Sequence, residues 1–278
     1  MRAIAVTAIA RLVARGVTLH KPVMAPEIFD RTARRAIMRR SRNSPTQDRW
    51  LIARLVEEAI ARLGMADHRM ETVLAMGSGA SDLAEAIRTQ RLGLHIVQQA
   101  YSGASAVQFD EDRPPFVDGS FDAILVVNGF DSVSDIPGAL TRARQMLRPG
   151  GTFIGSMAAA GSLTALRTAM SALSNAPRFH PQIDVRAAGD LLIRARFANP
   201  VTDLEVVSAR YAGFGGLVRD LRANGLSNAL PDRKPLGRHE RDSIARRFSD
   251  LAVDGRITET FQFVHMVGRA PSAGTHPL

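Results

Sequence analysis

Residues 121–155 constrain the fold more than any other stretch of this chain. FDAILVV (121–127) is an unbroken apolar run of strand length, the composition of a parallel strand covered on both faces rather than a half-exposed one. Ile136, Ala139, Leu140, Ala143, Met146 and Leu147 then recur at helical spacing, which predicts a helix over 136–147 with one buried face. Asp135 stands at the N-cap position and Pro137 in the first turn, both favourable helix starts. Pro149-Gly150-Gly151 predicts a stop and a turn, and a second apolar segment follows it. Strand, helix and strand of these lengths make a βαβ unit, which is right-handed almost without exception.

The flanking sequence extends this unit. ETVLAM (71–76) reads as a short strand entering the turn Gly77-Ser78-Gly79. A helix over 81–92 and a strand over 94–98 complete the first half of a doubly wound sheet. Upstream, 27–42 reads as a basic helix and 48–63 as an amphipathic one ended by Gly64. Downstream, helices are expected at 162–174, at 190–197 with a cap near Asp184, at 214–224 and at 238–251. Asn224-Gly225 is a helix-stop pair, which puts Leu226–Asn228 in a turn. Strands are expected at 201–207 and 258–267, the latter antiparallel and near the sheet edge because it alternates. The fold class is α/β: a Rossmann-like seven-stranded sheet with N-terminal helices and a C-terminal helical cap insertion. The expected organisation is one domain over 26–268, with a core at 70–160 and the cap and last strands at 161–268, followed by a disordered tail at 269–278.

Composition excludes several classes of function. With 278 residues the chain holds one large domain or a domain with an elaborated cap. It has no cysteine, which removes disulfides, thiolate nucleophiles and Cys-ligated metals. Its seven histidines form no HxH or HxxxH pair, so no metal site is expected. No run approaches the ~20 apolar residues of a membrane span. The formal net charge is +9, carried almost wholly by arginine, with Lys21 and Lys234 the only lysines. Arg31–Arg42 (RTARRAIMRRSR) concentrates that charge. It reads as a solvated helix face or as a patch for an acidic partner, and the lack of interleaved aromatics weighs against nucleic acid. Residues 1–24 contain no acid. They fit an amphipathic transit peptide, or a mis-assigned start with Met24 opening MAPEIFDR, which is the reading favoured here; residues 1–25 are expected to be loosely attached.

The order PFVDGSFD, strand, helix, LRPGG, strand over 115–155 resembles a methyltransferase-type Rossmann domain. S-adenosylmethionine (SAM) is the cofactor this implies. Such a site needs a glycine turn after the first strand, an acid at the end of the second strand for the ribose hydroxyls, and an acid after the third for the adenine amino group. Gly77-Ser78-Gly79 supplies the turn, although Ala75 stands at a usually acidic position and Ser81 at the usual third glycine. Gln98-Gln99-Ala100 stands where the ribose acid belongs, with Gln99 offering a neutral amide and Ala100 marking the position. Asp110-Glu111-Asp112 supplies the third element or forms a surface turn, and Asn128 lies at the end of the 121–127 strand. Each lost hydrogen bond to a charged acceptor costs about 1.5–3 kcal/mol, so two losses weaken SAM by roughly 10² to 10⁴-fold.

More widely, from about Pro26 to Pro271, the chain is similar to a branch of the SAM-dependent class I methyltransferases near the biotin-synthesis methyltransferase. These are the alphaproteobacterial and mitochondrial relatives of NADH:ubiquinone oxidoreductase complex assembly factor 5. The blocks that carry the resemblance include EIFDR (27–31), SDIPGAL (134–140), LRPGGTFIGSM (147–157), SLTALR (162–167), DLLIRARF (190–197), DLRANGLSNAL (220–230) and TFQFVHMVG (260–268). The resemblance implies a protein side chain or small molecule as acceptor, a possible complex I subunit as partner, and a cytoplasmic location in a bacterium or the mitochondrial matrix in a eukaryote. Mitochondrial members are associated with arginine hydroxylation rather than methylation. Where relatives carry His-Trp after the fourth strand this chain has Asp131-Ser132, and its single tryptophan, Trp50, lies elsewhere. Asp131 is expected to face the acceptor pocket, and Arg222, Ser227 and Asn228 to border its mouth. No fixed catalytic side chain is implied. Two readings follow, a SAM-dependent methyltransferase and a non-catalytic assembly factor that has lost tight cofactor binding; nucleic-acid binding through the basic helix is a third.

Overall fold

The computed structural model describes residues 27–66, 69–90, 94–100, 107–171 and 178–272. The expectations for residues 1–26 and for 273–278 lie outside them. Helix α1 (Arg31–Arg42) and α2 (Trp50–Gly64) precede β1 (Thr72–Met76), α3 (Ala80–Gln90), β2 (His95–Gln98), β3 (Phe121–Val127), α4 (Ile136–Met146) and β4 (Leu147–Ala158). Then come α5 (Thr164–Met170), α6 (Val185–Arg194), β5 (Ala198–Tyr211), α7 (Phe214–Ala223), α8 (Arg238–Ser249) and β6 (Ile257–Arg269). Among the described residues, no helix is long and apolar enough to cross a membrane.

The sheet has the order β2-β1-β3-β4-β6-β5. β1 pairs in parallel with β2 and β3, and β3 with β4. β6 runs antiparallel to both neighbours, β4 and β5. The seven expected strands are six among the described residues. Beyond β2, a parallel bridge joins Gln99 and Val107, closed by Ala100 N–H to the Val107 carbonyl at 3.0 Å and Val107 N–H to the Gln98 carbonyl at 3.1 Å. The antiparallel strand is where the alternation placed it, but the longer β5 lies outside it. Pro149-Gly150-Gly151 does not turn the chain back. α4 stops at Met146, Leu147 is already extended and pairs with Phe121, and the three residues bulge within β4 before pairing resumes at Thr152 opposite Ala123. Ala270, expected in the tail, is buried and exchanges backbone hydrogen bonds with Gly150 and Gly151 at 3.0 and 2.8 Å.

Both faces of the sheet are covered, which is why its central strands are continuously apolar. Alternate residues supply the two cores. Val73, Ala75, Ala123, Leu125 and Val127 pack with α2, α3, α5, α7 and α8. Leu74, Met76, Ile124 and Val126 pack with α4 and α6 on the other side. The expected caps are in place: Asp135 accepts from Gly138 N–H at 2.8 Å and Asp184 from Ala187 N–H at 2.8 Å.

The N-terminal helices and the C-terminal cap are riveted together by Asn224. α2 has no side-chain cap of its own. Instead Asn224 Oδ1 accepts from Ile52 N–H in the first turn at 3.1 Å, while its Nδ2 donates to the Asp48 and Asp220 carbonyls at 3.0 and 2.8 Å. Beside it the Asp220 carboxylate accepts from Trp50 Nε1 at 2.9 Å and from the Tyr211 hydroxyl at 2.8 Å. A residue more than 170 positions away thus caps a helix. Asn224→Ala removes the cap and strands buried partners, so chemical unfolding is expected to show a loss of about 1–3 kcal/mol. A change within measurement error would show that the cap is dispensable.

Candidate functional site

The site is the crevice at the carboxyl ends of β1, β2 and β3, where the chain leaves a parallel sheet and ligands bind in doubly wound folds. β1 ends in a turn at Gly77, with φ at +90°. A Cβ on Gly77 would sit 2.2 Å from the Val127 carbonyl oxygen, and one on Gly79 2.5 Å from a Val127 side-chain carbon. Both glycines are therefore required by close approach of the turn to β3. The turn spends its donors internally. Gly77 N–H donates to Gln99 Oε1 at 2.7 Å, Ser78 N–H to the Asn128 carbonyl at 3.3 Å and Gly79 N–H to the Val127 carbonyl at 3.3 Å. Gln99 also donates from Nε2 to the Phe109 carbonyl at 2.8 Å. Each end of its amide is thus engaged within the protein and the side chain is buried, as is the methyl group of Ala100 beside it.

The acidic triplet faces helix α1. Arg31, Arg34 and Arg35 share one side of that helix because residues three and four apart are neighbours on its surface. Arg35 grips Asp110 through two hydrogen bonds, of 3.0 and 2.6 Å. Arg31 reaches Asp112 at 2.5 Å and Asp110 at 3.2 Å. Burial pushes the Asp110 carboxyl up, but Arg35, Arg34 and Arg31 outweigh it and hold it below the usual carboxylate range. Arg31 lies above its ordinary value, chiefly through its hydrogen bond to Asp112. Arg34 goes deepest, at 3% exposure. It donates from Nε to Ser132 Oγ at 3.0 Å, from Nη2 to the Gly129 carbonyl at 2.9 Å, and pairs with Glu111. A Cβ on Gly129 would lie 3.0 Å from Gly77 Cα and 3.4 Å from Glu111 Oε1. Gly77 and Glu111 therefore both flank Gly129. The basic helix is neither a solvated face nor wholly a patch for partners.

The C-terminal cap closes the crevice from the other side. Asn128, at φ +49° and 1% exposure, donates to Ser78 Oγ at 3.0 Å and to the Asn224 carbonyl at 2.7 Å. A Cβ on Gly225 would meet Ser78 Oγ and Asn128 Nδ2 at 3.4 Å. Asp131 and Asn228 line one small cavity of about 70 Å³, with Met157, Phe179 and His180. In size it falls below the ~150 Å³ that accommodates benzene. Arg222 and Ser227 lie instead on a separate groove of about 770 Å³, which Asn228 also borders.

Around the small cavity, burial disfavours the charged form of two ionisable groups. His180 Nε2 accepts from Ala229 N–H at 2.8 Å, so Nδ1 carries the proton and donates to the Asp131 carbonyl at 3.0 Å. This tautomer is satisfied at both nitrogens, and burial pushes the imidazole down to about 4. Asp131 accepts from Ala158 N–H through Oδ1, while Oδ2 is sealed from solvent without a hydrogen-bond partner among the described residues. Burial pushes this carboxyl up to about 6.

These residues do not fit SAM as folded. The position expected for the ribose acid holds a methyl group and an engaged amide, the acids expected for the adenine are held by three arginines, and Asn224-Gly225 lies on the glycine turn. Sequence reasoning missed Arg34, Asn224 and His180 as parts of this site. Only Arg34 had a readable signal, a basic face at i, i+3, i+4 matched by an acidic triplet. Among the described residues no group of His, Asp or Glu could hold a metal ion.

The opposed shifts set a pH dependence. Asp131 has a raised folded pKa, so its ionisation costs stability above about 6 and the cost is relieved as pH falls toward 4. His180 has a lowered folded pKa, so its contribution is complete above the unfolded value of 6.5 and is lost as pH falls toward 4. Asp131→Asn should stabilise the protein at pH 8 by about 1–3 kcal/mol, with the gain gone by pH 4. Urea midpoints across that range measure it, and a gain independent of pH would refute the assignment.

Comparison with known proteins agrees with this architecture. Residues 74–155 match the family described as methyltransferase domain. The chain is 32% identical over 179 residues to the mitochondrial arginine-hydroxylase NDUFAF5 of Danio rerio, covering 60% of this chain and 55% of that protein. It is 30% identical over 162 residues to the malonyl-[acyl-carrier protein] O-methyltransferase of Xylella fastidiosa (strain M23), covering 57% and 55%. The chain thus spans about half the length of the curated relatives it matches. A putative methyltransferase from Bacillus halodurans shares the fold, with a TM-score of 0.50 at 12% identity over 78% of this chain and 100% of that one. The sheet order, the matched domain and these relatives agree: residues 74–155 carry a methyltransferase domain, and the chain is similar to the NDUFAF5 and malonyl-[acyl-carrier protein] O-methyltransferase proteins.

Proposed function

We propose that this protein is a methyltransferase-fold binding protein, an assembly-factor type of chain that has given up tight SAM binding, and that it acts by holding a partner. One observation carries the reading: the buried Arg34–Glu111 pair and the Gly77 turn both flank Gly129, at the strand ends where a cofactor would lie. A ligand that displaced Glu111 from Arg34 would leave an uncompensated buried charge. The ribose would find no carboxylate in return, because Gln99 and Ala100 stand in its place. The NDUFAF5 relatives support the assembly side of this reading and suggest a respiratory complex subunit as partner. The malonyl-[acyl-carrier protein] O-methyltransferase relatives support a methylating ancestor.

Isothermal titration with S-adenosylhomocysteine tests the proposal. The natural protein is expected to bind with a Kd weaker than about 100 µM, given roughly 10² to 10⁴-fold lost from two missing charged acceptors. Replacing Arg31 and Arg35 together by alanine frees Asp110 without stranding Glu111, and should tighten binding. Low-micromolar affinity in the natural protein, with methyl transfer to any acceptor, would overturn the reading.

A further inference from the structure

Rested on that reading, the nature of the partner can be narrowed. The groove of about 770 Å³ lies between helix α1, the end of α5 and the segment 227–236. Its volume is within the ~300–1,000 Å³ of sites that enclose a specific ligand. Five cations line it and one acid, Asp30. Arg233 is paired with Asp30, and Arg178 with Glu240. Arg40, Arg222 and Lys234 are exposed and form no ion pair among the described residues. The floor between them is aliphatic: Ala36, Ile37, Met170, Pro235 and Leu236.

We infer that this groove docks an acidic polypeptide segment of a partner protein, with apolar residues interleaved among its carboxylates. Three unpaired cations around a concave site focus a positive potential, which selects an anionic occupant and speeds its encounter. The aliphatic floor then rewards apolar side chains between the charges. Single-stranded nucleic acid suits the groove poorly, since it binds by stacking on aromatic side chains and no aromatic residue lines this groove. A lipid surface suits it poorly as well. Membrane-surface binding needs protruding apolar side chains, and the exposed large ones, such as Met65, Ile193, Val201 and Val206, lie elsewhere.

The test uses the full chain and a short fluorescein-labelled peptide in which leucines interrupt a run of glutamates, read by fluorescence anisotropy. Binding should be saturable, weaken with salt, and fall about tenfold or more in the doubly charge-reversed variant Arg222→Glu with Lys234→Glu. Arg88→Glu, on the exposed side of α3, should leave it unchanged. Replacing the leucines by serine should also weaken it, which separates docking from simple charge attraction. Random duplex DNA and phosphatidylglycerol vesicles serve as alternative probes. The inference is overturned if the peptide does not bind, if charge reversal has no effect, or if duplex or vesicles bind more tightly with the same sensitivity to reversal. S-adenosylhomocysteine heats recorded on the same variants keep the two readings apart. Tight cofactor binding with no peptide binding defeats both, whereas tight cofactor binding with reversal-sensitive peptide binding defeats only the loss of cofactor.

Discussion

One buried arginine fixes how the N-terminal helix meets the sheet. Bringing a guanidinium to 3% exposure costs several kcal/mol of hydration, offset only if its donors find well-placed acceptors. Arg34 finds them on two separate pieces of chain: Ser132 and the Gly129 carbonyl on one loop, and the Glu111 carboxylate on another. α1 therefore cannot slide or roll by one residue without leaving a charge stranded. Its other contacts follow from that placement. Ser41 reaches the Ala223 carbonyl at 2.7 Å, and Asp30 N–H the Ala229 carbonyl at 2.8 Å. The glycine turn, the acidic triplet and the C-terminal cap are thus held to one another through a helix that stands outside the sheet.

What could be read in the sequence was what local physics dictates. The strand at 121–127 was plain because burial on both faces demands an unbroken apolar run, and Asp135 and Asp184 were recognisable as caps. The two glycines were identifiable because only the absence of a Cβ permits that approach. Pro149-Gly150-Gly151 misled, because a sequence that stops a helix also suits a bulge, and pairing between Leu147 and Phe121 decided for the strand. In the site, Asp110 was identified as an important acid, but its partners are 75 residues and more away in the chain, and no local pattern announces who will neutralise a carboxylate. Asn224 was read as a helix stop, and its service as a cap to a different helix is a purely tertiary fact.

Arginine excess takes on structure once the pairs are known. The six arginines of α1 divide by face. Arg31, Arg34 and Arg35 are absorbed by the acidic triplet, while Arg40 borders the outer groove with Arg222 and Lys234. The same helix thus neutralises an internal cluster and contributes to an external field.

The place of β6 governs the order in which this molecule can be finished. It is the last strand in the chain, yet it lies between β4 and β5. Until residue 269 has left the ribosome, β4 has no neighbour on its outer side, and β5 has nothing to pair with. An unpaired strand edge is a template for association with other chains. Synthesis at ≈ 5–20 residues per second leaves β4 in that condition for several seconds after it emerges. β4 therefore keeps a bare edge until β6 arrives, and any truncation that removes β6 deletes the middle of a sheet rather than its margin.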